Sequence, residues 1–265
     1  IFVDDGSRDN TSAVIQRLSL KSERVYSVTL SRNCGKGEAV RQGVLFALGL
    51  PDCRVTQIGF WDADLATPLE EVENFQSVME ADSVKCIVIG NRHVKNNCGV
   101  ERNVFRNVIS YAILCLINFM LGFKLKDSQC GAKIFRRSVA ELCFEQPFVS
   151  RWLFDVEIFK RLLTVISLEQ LERNLAQKDL ANWHEVPGSK LKFYHLLNIL
   201  CEMLKIDFYY RQHLAFCGRL ITPKLIYRWG RKKFNRDFML EFHFKIFRFA
   251  VVCLLFLFII HDICE

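Results

Sequence analysis

The chain has 265 residues, of which 51% are hydrophobic and 25% charged, and a formal net charge of +7. These proportions fit one large folded domain, alone or with an appendage, and exclude a disordered or fibrous chain. The 11 cysteines form no C-x-x-C pair, which argues against a zinc knuckle or a disulfide framework and for a reducing compartment such as the cytosol. Phenylalanine is abundant, at 23 residues, and suits a large core or a membrane-facing surface.

In chain order, the first residues, IFVDD, read as an apolar strand with no initiator methionine before it. The sequence is therefore expected to be a piece that lacks an upstream strand of its domain. TSAVIQRLSL follows as a helix, RVYSVTL as a strand, and GEAVRQGVLFALGL as a second helix after a glycine-containing loop. VTQIGFW, PLEEVENFQSVME and KCIVIG then read as strand, helix and strand. Strands alternating with helices predict the α/β class, with βαβ units and a mostly parallel sheet flanked by helices. In such sheets ligands lie at the carboxyl ends of the strands. Both acidic turns, Asp4-Asp5 and Asp62 to Asp64, fall there.

The stretch IGFWDADLATP ends an apolar run in two carboxylates, Asp62 and Asp64. On a strand, residues two apart share a face, so the pair is placed to offer hard oxygen ligands to a divalent cation. The ordinary alternative is a helix N-cap at Asp64, ahead of Pro68 and LEEVENF.

Residues 104–125 are long, apolar and nearly uncharged, reaching the ~20 residues of a membrane span. Arg106, Asn107, Ser110, Asn118 and Gly122 favour a helix lying against a bilayer, or a buried one. DSQCGAKIF reads as loop and strand, and RWLFDVEIFKRLLTVI as a helix. Residues 216–245 form a basic juxtamembrane segment that includes Arg219, Lys224, Arg228, Arg231, Lys232 and Lys233. Within 246–263 the run FAVVCLLFLFII follows Lys245 and Arg248, and predicts a C-terminal apolar helix that lies on or spans a membrane. The basic segment lacks interleaved stacking residues and adjoins that apolar run, so nucleic acid is not an expected partner. No G-x-G-x-x-G follows the first strand, which disfavours a dinucleotide-binding dehydrogenase.

VDDGSRDNT, NCGKGEAVRQG, DADLATP, DSQCGAKIF, RWLFDVE and NWHEVPGSKL occur in that order. Over residues 1–215 the series resembles the inverting family 2 glycosyltransferases of the GT-A fold. It is most similar to the dolichyl-phosphate glucosyltransferases, which are related to the dolichyl-phosphate mannose synthases. The resemblance implies transfer of glucose from UDP-glucose to dolichyl or another polyprenyl phosphate, with inversion and with Mg²⁺ or Mn²⁺. It also implies a membrane location: the endoplasmic reticulum with a cytosolic active site in a eukaryote, or the inner membrane in a bacterium. A GDP-mannose donor and a catalytically inactive, membrane-bound relative remain as alternatives.

By the same resemblance Asp64 ligates the metal, and Asp62 serves the ribose or the metal. Ala66 stands where mannose synthases carry a further ligand, so this chain departs from that pattern. Asp4 or Asp5 would accept hydrogen bonds from the uracil or ribose, with Asp5 expected to face the nucleotide and Ser7 and Asp9 competing to cap the next helix. Gly35 and Gly37 would allow close backbone approach to the donor, and Lys36 would neutralise phosphate. A lipid phosphate is already anionic, so the acceptor needs cationic and hydroxyl donors more than a general base. Arg92, Arg106, Ser110 and Lys190 are expected there, Arg106 and Ser110 sharing one helix face at i, i+4 spacing. Arg106 reads equally as an arginine snorkelling from an interfacial helix. Gln129 and Asp155 are expected beside the donor sugar, with Trp152 packing near Asp155. Asp155 and Glu157 cannot both face the site from a helix, so Glu157 is expected at the surface, paired with Arg161. Cys130 is not expected to act as a nucleophile in a direct displacement.

Overall fold

A computed structural model describes residues 1–51, 55–92, 104–184 and 193–220. Lys190, the segment 246–263 and most of 216–245 lie outside them. The first half follows the order expected: β1 (Phe2–Asp4), α1 (Thr11–Lys21), β2 (Ser27–Thr29), α2 (Lys36–Leu48), β3 (Gln57–Trp61), α3 (Glu71–Ala81) and β4 (Ile87–Asn91). Then come α4 (Val104–Leu121), β5 (Ala132–Arg136), α5 (Arg137–Phe144), α6 (Phe154–Leu162), α7 (Leu168–Asn174), β6 (Leu175–Asp179) and α8 (Phe193–Leu220).

The sheet is mixed, which corrects the expectation of a mostly parallel one. β1 pairs with β2 in parallel, and a four-stranded sheet has the order β3-β5-β4-β6. Its β4–β6 pairing is parallel, whereas β5 runs antiparallel to both neighbours. The reason is where β5 begins. Ala132, its first residue, pairs with Trp61, the last residue of β3. A strand that starts at the carboxyl ends of β3 and β4 can hydrogen-bond between them only by running back. β6 is an edge strand with half-exposed residues, and its sequence LAQKD is correspondingly polar.

Apolar periodicity explains the layers. α4 buries Ile113, Leu116, Ile117, Met120 and Leu121 against the core and leaves Tyr111 exposed. Among the described residues no helix is long and apolar enough to cross a membrane. From Ser110 onward α4 thus packs one face on the core, with Tyr111 and Phe119 exposed. The phenylalanines form a contiguous cluster: Phe60 and Phe154 at 5.6 Å between ring centroids, Phe135 and Phe144 at 5.6 Å, Phe144 and Phe148 at 5.7 Å. Each fully buried ring contributes roughly 2–3 kcal/mol of transfer free energy.

α6 is buried on every side, and this changes the expected role of Glu157. Its carboxylate is 0% exposed rather than at the surface. The Arg161 partner is as expected, at 3.3 Å, but Glu157 also accepts Val149 N (3.0 Å), Ser150 N (2.9 Å) and Tyr210 Oη (2.9 Å). Arg161 in turn donates to Tyr210 and to the carbonyls of Cys143, Gln146 and Pro147. The pair thus fastens the α5–α6 connection and α8 to the core. Removing one member of a buried pair leaves its partner uncompensated. Arg161→Met is expected to lower stability by about 3 kcal/mol in urea unfolding. A loss below about 0.5 kcal/mol, the size of an ordinary surface change, would contradict this account.

Candidate active site

β3 delivers its acids at the end of a regular ladder. Asp62 N donates to Gly131 O (2.9 Å), one step beyond the Trp61–Ala132 pair. The chain then turns, Leu65 N bonding Asp62 O at 3.2 Å, with Leu65 at a left-handed φ of 54°. Asp62 and Asp64 therefore lie on a turn beyond β3, not within its strand alternation. Asp64 is exposed, and its Oδ1 accepts Ala66 N (3.0 Å). It caps no helix, because α3 starts only at Glu71.

The glycine loop meets this turn. Lys36, the first residue of α2, forms an ion pair with Asp62 at 2.5 Å. Gly35, at φ 96°, precedes it as the N-cap, and its open side is covered by the Arg151 side chain. Gly37 does not face a ligand as expected. It is buried, and a Cβ there would sit 2.9 Å from Phe154 Cβ, so its small size serves the packing of α2 on α6.

The order of the first two acids is also reversed. Asp5 accepts Cys34 N (2.7 Å) through one oxygen and Gly35 N (2.8 Å) through the other, which fixes the glycine loop to the end of β1. Asp4 binds Ser7 N (2.9 Å) through Oδ1, is 3% exposed, and keeps Oδ2 buried with no protein partner. A buried acceptor without a donor is costly unless a bound group supplies one. Asp4, rather than Asp5, is thus the open acceptor at this strand end. Asp9 binds Thr11 N and Oγ1 at the start of α1, where Asn10 is the N-cap.

The loop before β5 closes the other side. A Cβ on Gly131 would fall 2.0 Å from Asp62 Oδ2, so only glycine lets the carboxylate lie there. Lys133, which sequence reading passed over, is fully buried and bonds Asp155, Cys130 O (2.8 Å) and Ser128 O (3.2 Å). Burial pushes the Asp155 carboxyl up, and the Lys133 ammonium opposes that shift. Asp155 also senses the charges of Lys36 and Asp62, which sets it among the groups of the acidic turn. Trp152, expected beside it, is 71% exposed. Gln129 is exposed on the same loop. Burial raises the Cys130 thiol, which keeps it protonated and un-nucleophilic.

On the expected acceptor side, Arg92 is not an open phosphate clamp. Its Nε and Nη2 form a bidentate pair with buried Asp127 (2.6 and 2.9 Å). Burial alone would lower its pKa, but Asp127 raises it further, so the guanidinium stays charged. Asp127 is a second residue sequence reading missed; the pair holds the β4 exit to the β5 loop. Ser110 is half-buried on α4, and the Arg106 side chain lies outside the described part. Glu71, also missed, is buried and accepts Ala181 N (2.9 Å) and Asn182 N (3.3 Å), while His184 N bonds Ala66 O (2.9 Å). The segment after β6 is thereby strapped beside the acidic turn.

Among the described residues no group of three or more His, Cys, Asp or Glu is gathered to hold a metal. The hard oxygens of Asp62 and Asp64 still fit Mg²⁺ or Mn²⁺, since Mg²⁺ is commonly held by one or two carboxylates plus phosphate oxygens and water. Gly131→Ala is expected to cost about 2 kcal/mol by overpacking and to break the Lys36–Asp62 contact. Thermal unfolding and a crystal structure of the variant would check both.

A sequence profile described as Glycosyl transferase family 2 matches residues 1–144. The dolichyl-phosphate beta-glucosyltransferase of Homo sapiens is 33% identical over 198 residues, covering 72% of this chain and 57% of that protein. The Saccharomyces cerevisiae enzyme of the same name is 34% identical over 208 residues (72% and 58%), and one from Trichomonas vaginalis 30% over 218 residues (81% and 61%). The chain thus spans about three fifths of the length of these relatives. Among solved structures, glucosyl-3-phosphoglycerate synthase from Mycobacterium tuberculosis in complex with uridine diphosphate superposes with a TM-score of 0.52 at 16% identity, covering 77% of this chain and 67% of that one. Mannosyl-3-phosphoglycerate synthase from Rubrobacter xylanophilus gives 0.54 at 15% identity, with coverages of 89% and 67%. At such identities the likeness is one of fold, the GT-A type. With a profile spanning residues 1–144 and relatives above 30% identity over most of its length, this chain belongs to glycosyl transferase family 2.

Proposed function

We propose that the chain is the catalytic part of a hexosyltransferase that moves glucose from UDP-glucose to dolichyl or another polyprenyl phosphate with inversion. The observation that carries the reading is the meeting of Lys36, Asp62 and Asp155 around the acidic turn, with the open acceptor of Asp4 at the end of β1. Its support from relatives is that proteins named dolichyl-phosphate beta-glucosyltransferase are 30–34% identical to it over 72–81% of the chain.

Asp4 Oδ2 accepts an N–H or O–H of the nucleoside. Asp64 and Asp62 would hold Mg²⁺ or Mn²⁺, which supplies charge neutralisation for the departing diphosphate. Lys36 stands at the same place as a point charge and adds to that neutralisation. Asp155 accepts hydroxyls of the hexose. An acceptor phosphate oxygen attacks the anomeric carbon from the face opposite the diphosphate; the new C–O bond forms as the old one breaks, UDP leaves, and configuration inverts. No proton need be removed from the nucleophile, so the site needs positioning and charge rather than a base. Ser110, Arg106 and Lys190 form the proposed acceptor side, to which Arg92, engaged by Asp127, contributes positive charge rather than an open clamp. The lipid acceptor implies action at a membrane, in a eukaryote that of the endoplasmic reticulum with the site facing the cytosol, and the segment 246–263 is the proposed attachment.

Calorimetry with UDP-glucose and GDP-mannose, with and without Mn²⁺, tests the donor. Metal-dependent binding of UDP-glucose is expected; preference for GDP-mannose would move the chain to the mannosyl branch, and binding of neither by a folded chain would mark an inactive relative. Asp64→Asn is expected to abolish the metal-dependent part of that binding with unchanged circular dichroism. Asp4→Asn keeps an oxygen for Ser7 N but turns the open acceptor into a donor. It is expected to weaken UDP roughly tenfold or more, the loss of one hydrogen bond to a charged group, in the same titration.

A further inference from the structure

Lys133 is a fully buried ammonium on a strand whose neighbours Ala132, Ile134 and Phe135 are core residues. It pairs across the ladder with Phe60 of β3 and Ile89 of β4, and its ammonium stands 5.4 Å from the Phe60 ring centroid. An ammonium has three donors. Asp155, Cys130 O and Ser128 O account for all of them. Desolvating an ion pair costs several kcal/mol per ion, and an apolar pair of similar volume commonly serves stability as well. Stability therefore gives no reason for a lysine here.

Its geometry gives one. The ammonium joins the first turn of α6, through Asp155, to the Ser128–Cys130 loop. The residue after Cys130, Gly131, lies against the Asp62 carboxylate. Lys133 thereby sets Asp155 and the acidic turn relative to one another. The charged groups acting on Asp155 are Lys133 from β5, Lys36 from α2 and Asp62 from the turn after β3.

We propose that Lys133 is a positioning residue for the donor sugar: it holds Asp155 as an oriented carboxylate and fixes the Ser128–Cys130 carbonyls, so that Asp155 accepts hydrogen bonds from hydroxyl groups of the hexose. The proposal rests on the hexosyltransferase reading above. Without Lys133, burial acts on Asp155 unopposed by its nearest cation, and the carboxyl takes up a proton. It then ionises only at higher pH, so the sugar contact is present above that raised pKa and lost as pH falls through it.

The test compares the 265-residue chain with its Lys133→Met and Asp155→Asn variants, measuring the Kd of UDP with Mn²⁺ and kcat/KM for UDP-glucose across pH 6–9. Lys133→Met is expected to bind UDP within about threefold of the parent while kcat/KM at pH 7 falls about a hundredfold, some 2.7 kcal/mol at 1.36 kcal/mol per tenfold. That loss should shrink as pH rises, because the Asp155 carboxyl of the parent is also raised by burial but opposed by Lys133, and so ionises at lower pH than in the variant. A merely structural role would not create such a difference between the two profiles. Asp155→Asn retains an oxygen for Lys133, so it reports on the carboxylate even where Lys133→Met fails to fold. It should show the same loss without the pH slope. Transfer within threefold of the parent in either variant, or a Lys133→Met loss that is flat with pH, overturns the proposal. A parent chain that binds no UDP overturns the hexosyltransferase reading beneath it.

Discussion

The antiparallel insertion of β5 between β3 and β4 is the constraint on which the site depends. Five residue pairs tie β3 to β5, from Gln57–Arg136 to Trp61–Ala132, and Asp62 N–Gly131 O continues the ladder by one more bond. A ladder leaves no freedom of register where one face is buried, since a one-residue slip turns every side chain to the other face. Here a slip would also move Gly131 from beneath the Asp62 carboxylate and place a larger residue there. The loop Asp127–Gly131 is thus delivered to the acidic turn by backbone pairing, and side-chain bonds from Arg92 and Lys133 then hold it.

Charge in this protein is managed by pairing rather than by exposure. A chain of net charge +7 still buries Asp127, Lys133, Asp155, Glu157 and Arg161, each beside an opposite charge. Glu157 and Arg161 tie α6 to α8 and to the segment before it, remote from the acidic turn. Arg92–Asp127 and Lys133–Asp155 instead converge on the loop that carries Gly131. Lys36–Asp62, by contrast, is a partly exposed pair, with side chains 41% and 32% accessible. Such a pair is weak in water and exchanges partners readily. The division suits the proposed site, whose walls would stay rigid while its central charges meet an incoming diphosphate and cation.

Periodicity and turn chemistry made much of this legible. The alternation of strand and helix through Asn91 matched the structure, as did the placing of both acidic turns at carboxyl ends of strands. β6 was not legible, because an edge strand of composition LAQKD has no apolar alternation. The direction of β5 was not legible either, because a strand's residues carry the same pattern whichever way its neighbours run. Asp4 and Asp5 are neighbours of one type, and only the fold shows that Asp5 is occupied by the amides of Cys34 and Gly35 while Asp4 keeps an oxygen open. Lys133 hid because a lysine in AKIFR looks like an ordinary charged residue until its strand is found between two others.

The sequence by itself determined what local chemistry can determine: an α/β chain, glycine where φ is positive at Gly35, paired acids after an apolar strand, and a motif order typical of one transferase family. Tertiary structure alone decided which of those residues remain available. Gly37 went to packing against Phe154, Arg92 to Asp127, and Glu157 to the core with Arg161, while Asp4 kept one oxygen without a protein donor and Asp64 stayed exposed. The physical reason is that a side chain's hydrogen-bonding capacity is finite, and which part of it folding consumes depends on partners tens of residues away that no local pattern records.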